Sequence, residues 1–265
     1  MGPVTRIGRA AIDGLAYFGA LALMGGRVAY FTFIAPFRGR PVRFQRAVSQ
    51  AMAVGVRALP ILSLITFFIG VIMALQSAYE LRKLGAMNYV STAVALSITR
   101  ELGPLITAVV VIGRSGSAFA AEIGAMKVSE EIDALETMAI DPIDFLVAPK
   151  FQAMVLMLPC LTTWADFMGI VGGGLFGVSF AGFTWTGYFR SSVQALFLRD
   201  IVTGLVKSVM FGMTITVVSC YEGFSTGGGA EEVGRSTTSA VVMSIFLVIA
   251  VDLIFTALFY FAGGG

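Results

Sequence analysis

Five stretches of the chain stay apolar long enough to cross a bilayer, which takes about 20 mostly apolar residues in a helix. They run from Ala58 to Ala78, Tyr89 to Gly113, Phe151 to Phe180, Ile201 to Tyr221 and Thr237 to Ala262. The pattern predicts an all-α integral membrane protein with about five transmembrane helices. Residues 58–265 read as one membrane domain, preceded by an N-terminal arm over residues 1–57.

The arm is patterned differently. Pro41 suits the first turn of a helix. After it Phe44, Ala47, Val48, Ala51 and Val54 recur at helical spacing, while Arg43, Arg46, Gln50 and Arg57 fall on another face. Such an amphipathic helix lies in the interface with its arginines near the headgroups. The earlier apolar stretch Ala10 to Met24 is broken by Asp13 and by glycines. It reads as interfacial, with a sixth span as the alternative.

The connection over about residues 114–150 is too charged to span. Val128, Ile132, Leu135 and Ala139 share one helical face, and Glu122, Ser129, Asp133 and Glu136 share another. Asp141 stands before Pro142, a pairing that disfavours further helix. An exposed helix with an apolar face must dock on something. Its own membrane domain, lipid and a soluble partner all remain open.

Basic residues near span ends set orientation. Arg6, Arg9, Arg27, Arg38, Arg40, Arg43, Arg46 and Arg57 precede the first span; Arg114, Lys127, Lys150 and Arg235 lie in connections on the same side. The opposite side holds Arg82, Lys83, Arg190 and Arg199. The N-terminus is expected in the cytoplasm, and with five spans the C-terminus outside.

Composition sharpens the membrane reading. Hydrophobic residues make up 57% of the chain and charged residues 13%, against about 45–50% and about 25% in soluble domains. The net charge of +2 and the placement of arginines beside apolar runs give no basic stripe for nucleic acid. No histidine is present, which removes His-ligated metal, Ser-His-Asp triads and His proton shuttles. Cys160 and Cys220 lie inside apolar runs and read as small buried hydrophobes, not as a metal site. No cleavable leader is evident at the N-terminus.

Two enzyme-like motifs fail on context. Gly172 to Gly177 fits G-x-G-x-x-G but lies inside a span, where no βαβ unit can form. Gly223 to Gly227 fits G-x-S-x-G with no histidine to serve it. No Walker A sequence occurs, so ATP is not bound in that way. The glycines at 169, 173 and 177 instead form the small-xxx-small repeat that lets helices approach closely.

The informative polar positions are charges inside spans. Arg100 and Glu101 interrupt the second span, and each such residue costs about 2.5–3.5 kcal/mol on insertion scales. Neighbours in sequence do not face each other on a helix, so the two must seek different partners or a hydrated cavity. Pro104 follows and removes the hydrogen bond to the Arg100 carbonyl, which predicts a kink. An interhelical ion pair that only fixes packing is the other reading. Lys207, Asp166 and Asp252 are expected to pair structurally.

The run Glu101-Leu102-Gly103-Pro104, then Gly113 to Ala118, Ala121 to Gly124, Glu131 to Glu136 and Asp141-Pro142, resembles the MlaE (YrbE) permease family. The resemblance covers roughly Leu59 to Phe259. It implies a non-catalytic membrane subunit of an ABC-type phospholipid transporter in the bacterial inner membrane. Such a transporter moves phospholipid between that membrane and periplasmic carriers and maintains outer-membrane lipid asymmetry. The implied partners are a second copy of the chain, a cytoplasmic ATPase that binds ATP and magnesium, a periplasmic ring of MCE-domain proteins and a small STAS-like protein. Carried over by position, Arg100 and Glu101 fall at a lipid-binding cavity between the two copies, with Leu84 and Met73 as weaker candidates for its wall. Glu122 to Met138 becomes the coupling helix seated in the ATPase, through Glu122, Ile123, Gly124, Met126, Glu130, Glu131, Asp133, Leu135 and Met138. A secondary transporter, which needs no ATPase, and an anchor for peripheral proteins, which needs no cavity, are the competing readings.

Overall fold

The long apolar runs satisfy their own backbone groups as helices, the form in which a single segment can cross hydrocarbon. A computed structural model describes residues 3–34 and 44–262, with backbone alone for residues 3–11, 33, 44 and 262. The helices are α1 (Pro3–Ala29), α2 (Phe44–Lys83), α3 (Val90–Ser97), α4 (Gly103–Val111), α5 (Ser117–Val128), α6 (Glu131–Thr137), α7 (Ala148–Phe180), α8 (Trp185–Ala195), α9 (Leu198–Phe224) and α10 (Ala230–Ala262). The described residues contain no strand. The short helix α6 lies at one end of the bundle and α8 at the other.

The expected spans appear, with different limits. α2 runs unbroken through Arg57 and Ala58, so the amphipathic stretch and the first span are one helix that carries Pro60 inside it. The helix start expected at Pro41, with Arg38, Arg40 and Arg43, lies outside the described residues. The second span does not stop at Gly113. π turns at Ile98–Leu102 and Ile112–Gly116 join α3, α4 and α5 into one helical run from Met87 to Val128. The first half of the expected connection is thus the end of a span helix.

Among the described residues six helices, where five were expected, are long and apolar enough to cross a membrane. The addition is Ile12–Thr32, which contains most of the stretch expected at the interface. Its partners lie in the α6 half of the bundle. Tyr17 donates to Glu222 at 2.7 Å and packs edge-on against Tyr221; Gly25 faces Val217, and Arg27 pairs with Asp141.

The glycine repeat is where the helices close up. α7 lies along α2, and a Cβ at Gly172 or Gly70 would run into the backbone of Phe67 or Gly169 respectively. Gly173, Gly174 and Gly177 receive the fully buried ring of Tyr188 from α8. The stretch after Thr184 is therefore a real helix that plugs one end, and it is capped by the Thr184 hydroxyl accepting from Gly187 N–H at 3.2 Å.

Candidate functional site

Pro104 has no N–H to give the preceding turn. The helix answers with the π turn Ile98–Leu102, closed by Gly103 N–H donating to the Ile98 carbonyl. That turn carries Arg100 and Glu101, and the two side chains diverge as neighbours on a helix must.

Arg100 turns to the first turn of α9, where its Nε and Nη2 donate to Asp200 Oδ1 at 2.8 and 2.7 Å. The other Asp200 oxygen accepts from Phe197 N–H at 3.0 Å, so the same carboxylate helps cap α9. Glu101 turns to α9 and α10. Its Oε2 accepts from Lys207 Nζ at 2.6 Å, and its Oε1 from the Thr256 hydroxyl at 3.1 Å. Lys207 is completely buried. Its ammonium has three protons and three partners: Glu101, Thr256 at 2.7 Å and Asp252 at 2.9 Å. The two cations and three carboxylates leave one negative charge, which Arg199 on the rim balances. Arg199 is held there by the Phe259 carbonyl at 3.2 Å.

Arg100, Glu101, Arg199, Asp200, Lys207 and Thr256, with Thr203 and the aromatic lip Phe259, Tyr260 and Phe261, line a cavity of about 590 Å³ at the α8 end. Its floor is ionic and its lip apolar, the arrangement that suits an amphiphile.

Arg100 and Glu101 thus meet in one cavity wall. Leu84 and Met73 do not line this cavity, which lies within one chain. Leu84 is exposed just past the end of α2, and Met73 packs on a separate cluster of Ala74, Ala78, Val90, Val94 and Ile98. Lys207 and Asp252 pair as expected, but Asp166 does not join them. Its Oδ1 is buried against Gly103 and has no hydrogen-bond partner among the described residues. Asp200, Arg199 and Thr256 were missed. A carboxylate in the first turn of an apolar run was the available signal for Asp200; nothing in the sequence singles out Thr256.

At the α6 end the segment expected to form one coupling helix is two pieces. α5 ends at Val128, Glu130 takes a left-handed φ of 60°, and α6 follows. The face expected to run unbroken from Val128 to Ala139 is therefore interrupted. Ile132 and Leu135 are buried, while Ala139 is exposed with a φ of 57°. Of the nine residues assigned to partner docking, Ile123, Gly124 and Leu135 are buried within their own chain. Ile123 packs on Gly223, and Gly124 meets Thr226. Met126 is partly buried against the core. Glu122 accepts from the buried Lys150 at 2.6 Å, tying α5 to α7. Glu130, Glu131, Asp133 and Met138 face outward, with Lys127 paired to Asp133 at 2.8 Å. Helical spacing showed that two faces exist; it did not show which one α9 covers.

Residues 47–258 match the protein-family model described as Permease MlaE. A probable ABC transporter permease protein of Rickettsia typhi is 41% identical over 237 residues, 89% of this chain and 92% of that protein. The intermembrane phospholipid transport system permease protein MlaE of Haemophilus influenzae is 36% identical over 264 residues, 98% of each. The chloroplastic protein Trigalactosyldiacylglycerol 1 of Arabidopsis thaliana is 38% identical over 224 residues, 84% of this chain and 64% of that protein.

Proposed function

The chain belongs to the MlaE permease family, and from that premise we propose that it is the membrane subunit of an ABC-type phospholipid transporter of the bacterial inner membrane. The observation that carries the reading is the ion-paired cavity around Arg100 and Glu101. It offers charged groups to a headgroup and an aromatic lip to acyl chains. The name of the Haemophilus relative supplies the cargo class.

In this reading two copies of the chain form the transport core. A cytoplasmic ATPase docks on the outward carboxylates Glu130, Glu131 and Asp133 and on Met138. The α6 end then faces the cytoplasm, as the excess of basic residues beside it supports. The cavity opens at the other face, toward periplasmic MCE-domain carriers, and a small STAS-like protein completes the assembly. The result is phospholipid exchange that maintains outer-membrane asymmetry.

The ion pairs suggest how the cavity changes state. A ligand shifts a conformational equilibrium only by binding the two states unequally. Arg100 and Glu101 are both held by α9, and Glu101 also by Thr256 of α10. Motion of α9, whose far end packs on the docking segment through Gly223 and Ile123, would open or close those pairs around the headgroup.

The test is native mass spectrometry of the tagged chain, expressed with its chromosomal neighbours and released from nanodiscs. A dimer carrying an ATPase and bound phospholipid is expected. A complex that keeps other subunits but holds no ATPase would favour a secondary transporter or an anchor.

A further inference from the structure

A second groove lies at the α6 end, on the far side of the bundle from the ionic cavity. It runs between α1, the linker from α6 to α7, and the last turn of α9, and encloses about 690 Å³, within the range of small-molecule sites. Leu23 and Met24 come from α1, Ile140 and Ile143 from the linker, and Tyr221 and Phe224 from α9. Three charged residues stand at its edge: Arg27, Glu136 and Asp141.

Two candidate spans end beside it. Phe224 is the last residue of one candidate span and Ile143 the first of another. The groove therefore lies at the level where these two spans terminate, and its α1 wall, Leu23 to Arg27, falls within a third candidate span, Ile12–Thr32. Arg27 is 59% exposed there. One of its nitrogens donates to Asp141 Oδ2 at 3.0 Å, and Asp141 Oδ1 accepts from Ile143 N–H at 2.9 Å. A guanidinium has five N–H donors in a rigid fork, and among the described residues Asp141 is the one partner recorded for Arg27. Glu136 is exposed and forms no ion pair among them.

We infer that this groove holds a resident zwitterionic phospholipid of the leaflet at the α6 end, with phosphate on Arg27, ammonium at Glu136 and an acyl chain along Leu23, Met24 and Phe224. Arginine suits phosphate because its fork matches the oxygens. Apolar walls alone would accept any tail; the opposite charges on the rim select a headgroup that carries both signs. The lipid stays in place and is not cargo. Its role follows from Ala139, which lines the groove directly after α6. An occupied groove bridges α1 to the end of α6 and so holds the docking segment at a set height on the membrane.

Photolabelling tests this. The full chain is placed in phosphatidylethanolamine nanodiscs doped with an analogue bearing a diazirine in one acyl chain, and adducts are mapped by peptide mass spectrometry. Adducts are expected at Leu23–Met24 and Ile140–Ile143. They should fall about tenfold in Arg27→Glu, the scale of one charge-assisted hydrogen bond, and also in Ala20→Trp, which fills the groove without touching a charge. A phosphatidylglycerol analogue, which lacks the ammonium, should label these peptides less. Groove labelling no stronger than at the outward Phe246 and Leu253 of α10, or unchanged in Arg27→Glu, overturns the assignment. Equal labelling by both analogues contradicts the choice of a zwitterionic lipid. Adducts at the Arg100–Glu101 cavity are counted separately. Their persistence in the groove variants shows an intact fold, and their absence from the unaltered chain counts against the transport reading alone.

Discussion

Replacing Lys207 with methionine removes the one cation that serves both Glu101 and Asp252. The stem volume stays similar, so the perturbation is electrostatic. Lys207 is fully buried, and its partner carboxylates are 40% and 17% exposed. Breaking a buried pair by deleting one partner costs about 3–5 kcal/mol. Glu101 keeps some solvent through the cavity mouth, which screens its charge, so the expected loss is at the low end, about 3 kcal/mol. By the scaling of soluble domains that corresponds to a fall in Tm of about 6–12 °C. Thermal unfolding in nanodiscs at fixed lipid composition reads it. The triple variant Lys207→Met/Glu101→Gln/Asp252→Asn supplies the control. Deleting all the charges together leaves no unpaired ion, and such replacements are often near neutral, so most of the loss should return. If the single variant melts with the unaltered chain, or the triple variant is no more stable than the single, stranded carboxylates are not the cause and the network as described is wrong.

Other expectations follow from separate parts of the molecule. Arg100→Gln/Glu101→Gln should slow phospholipid transport while the assembly still co-purifies; normal transport would remove these residues from the cavity's function. Glu131→Lys/Asp133→Lys reverses two outward charges and should weaken ATPase retention in a pull-down, and unchanged retention would move the docking face elsewhere. Tyr188→Ala empties the glycine-lined pocket in α7 and should cost about 3–5 kcal/mol, as for other large aromatic truncations, read as a lower melting temperature. An unchanged melt would mean that α8 does not brace α7.

The features legible in the sequence were those written into one stretch of chain. Apolar length marked α2, α7, α9 and α10 to within a turn or so at most ends. The cost of Arg100 and Glu101, and the missing N–H of Pro104, marked the place where the helix departs from regular geometry. The glycines spaced by four marked the seam that takes α2 and Tyr188. Features that depend on distant partners were not legible. Arg100 finds Asp200 a hundred residues away, and Glu101 finds Thr256 at still greater separation; no local pattern encodes either pairing. Asp166 was grouped with Lys207 because both are lone charges in apolar runs, yet Asp166 faces Gly103 of α4.

Two further differences have local causes that periodicity hides. A π turn adds one residue to a helical repeat, so α4 passes into α5 through Ile112–Gly116 at the point where falling hydropathy suggested an end. The break at Glu130 puts a non-glycine residue in the left-handed region, an uncommon choice that sequence alone gives no reason to expect. It separates α5 from α6, while Ile123 and Gly124, within α5, are buried against the end of α9.

The most direct test of the transport reading is reconstitution of the chain with its co-purified ATPase into proteoliposomes, following labelled phospholipid as ATP and magnesium are added. Phospholipid movement that requires ATP hydrolysis and falls severalfold in Arg100→Gln/Glu101→Gln is the expected result. Movement that continues without ATP, or that the double variant leaves unchanged in an intact assembly, would contradict it.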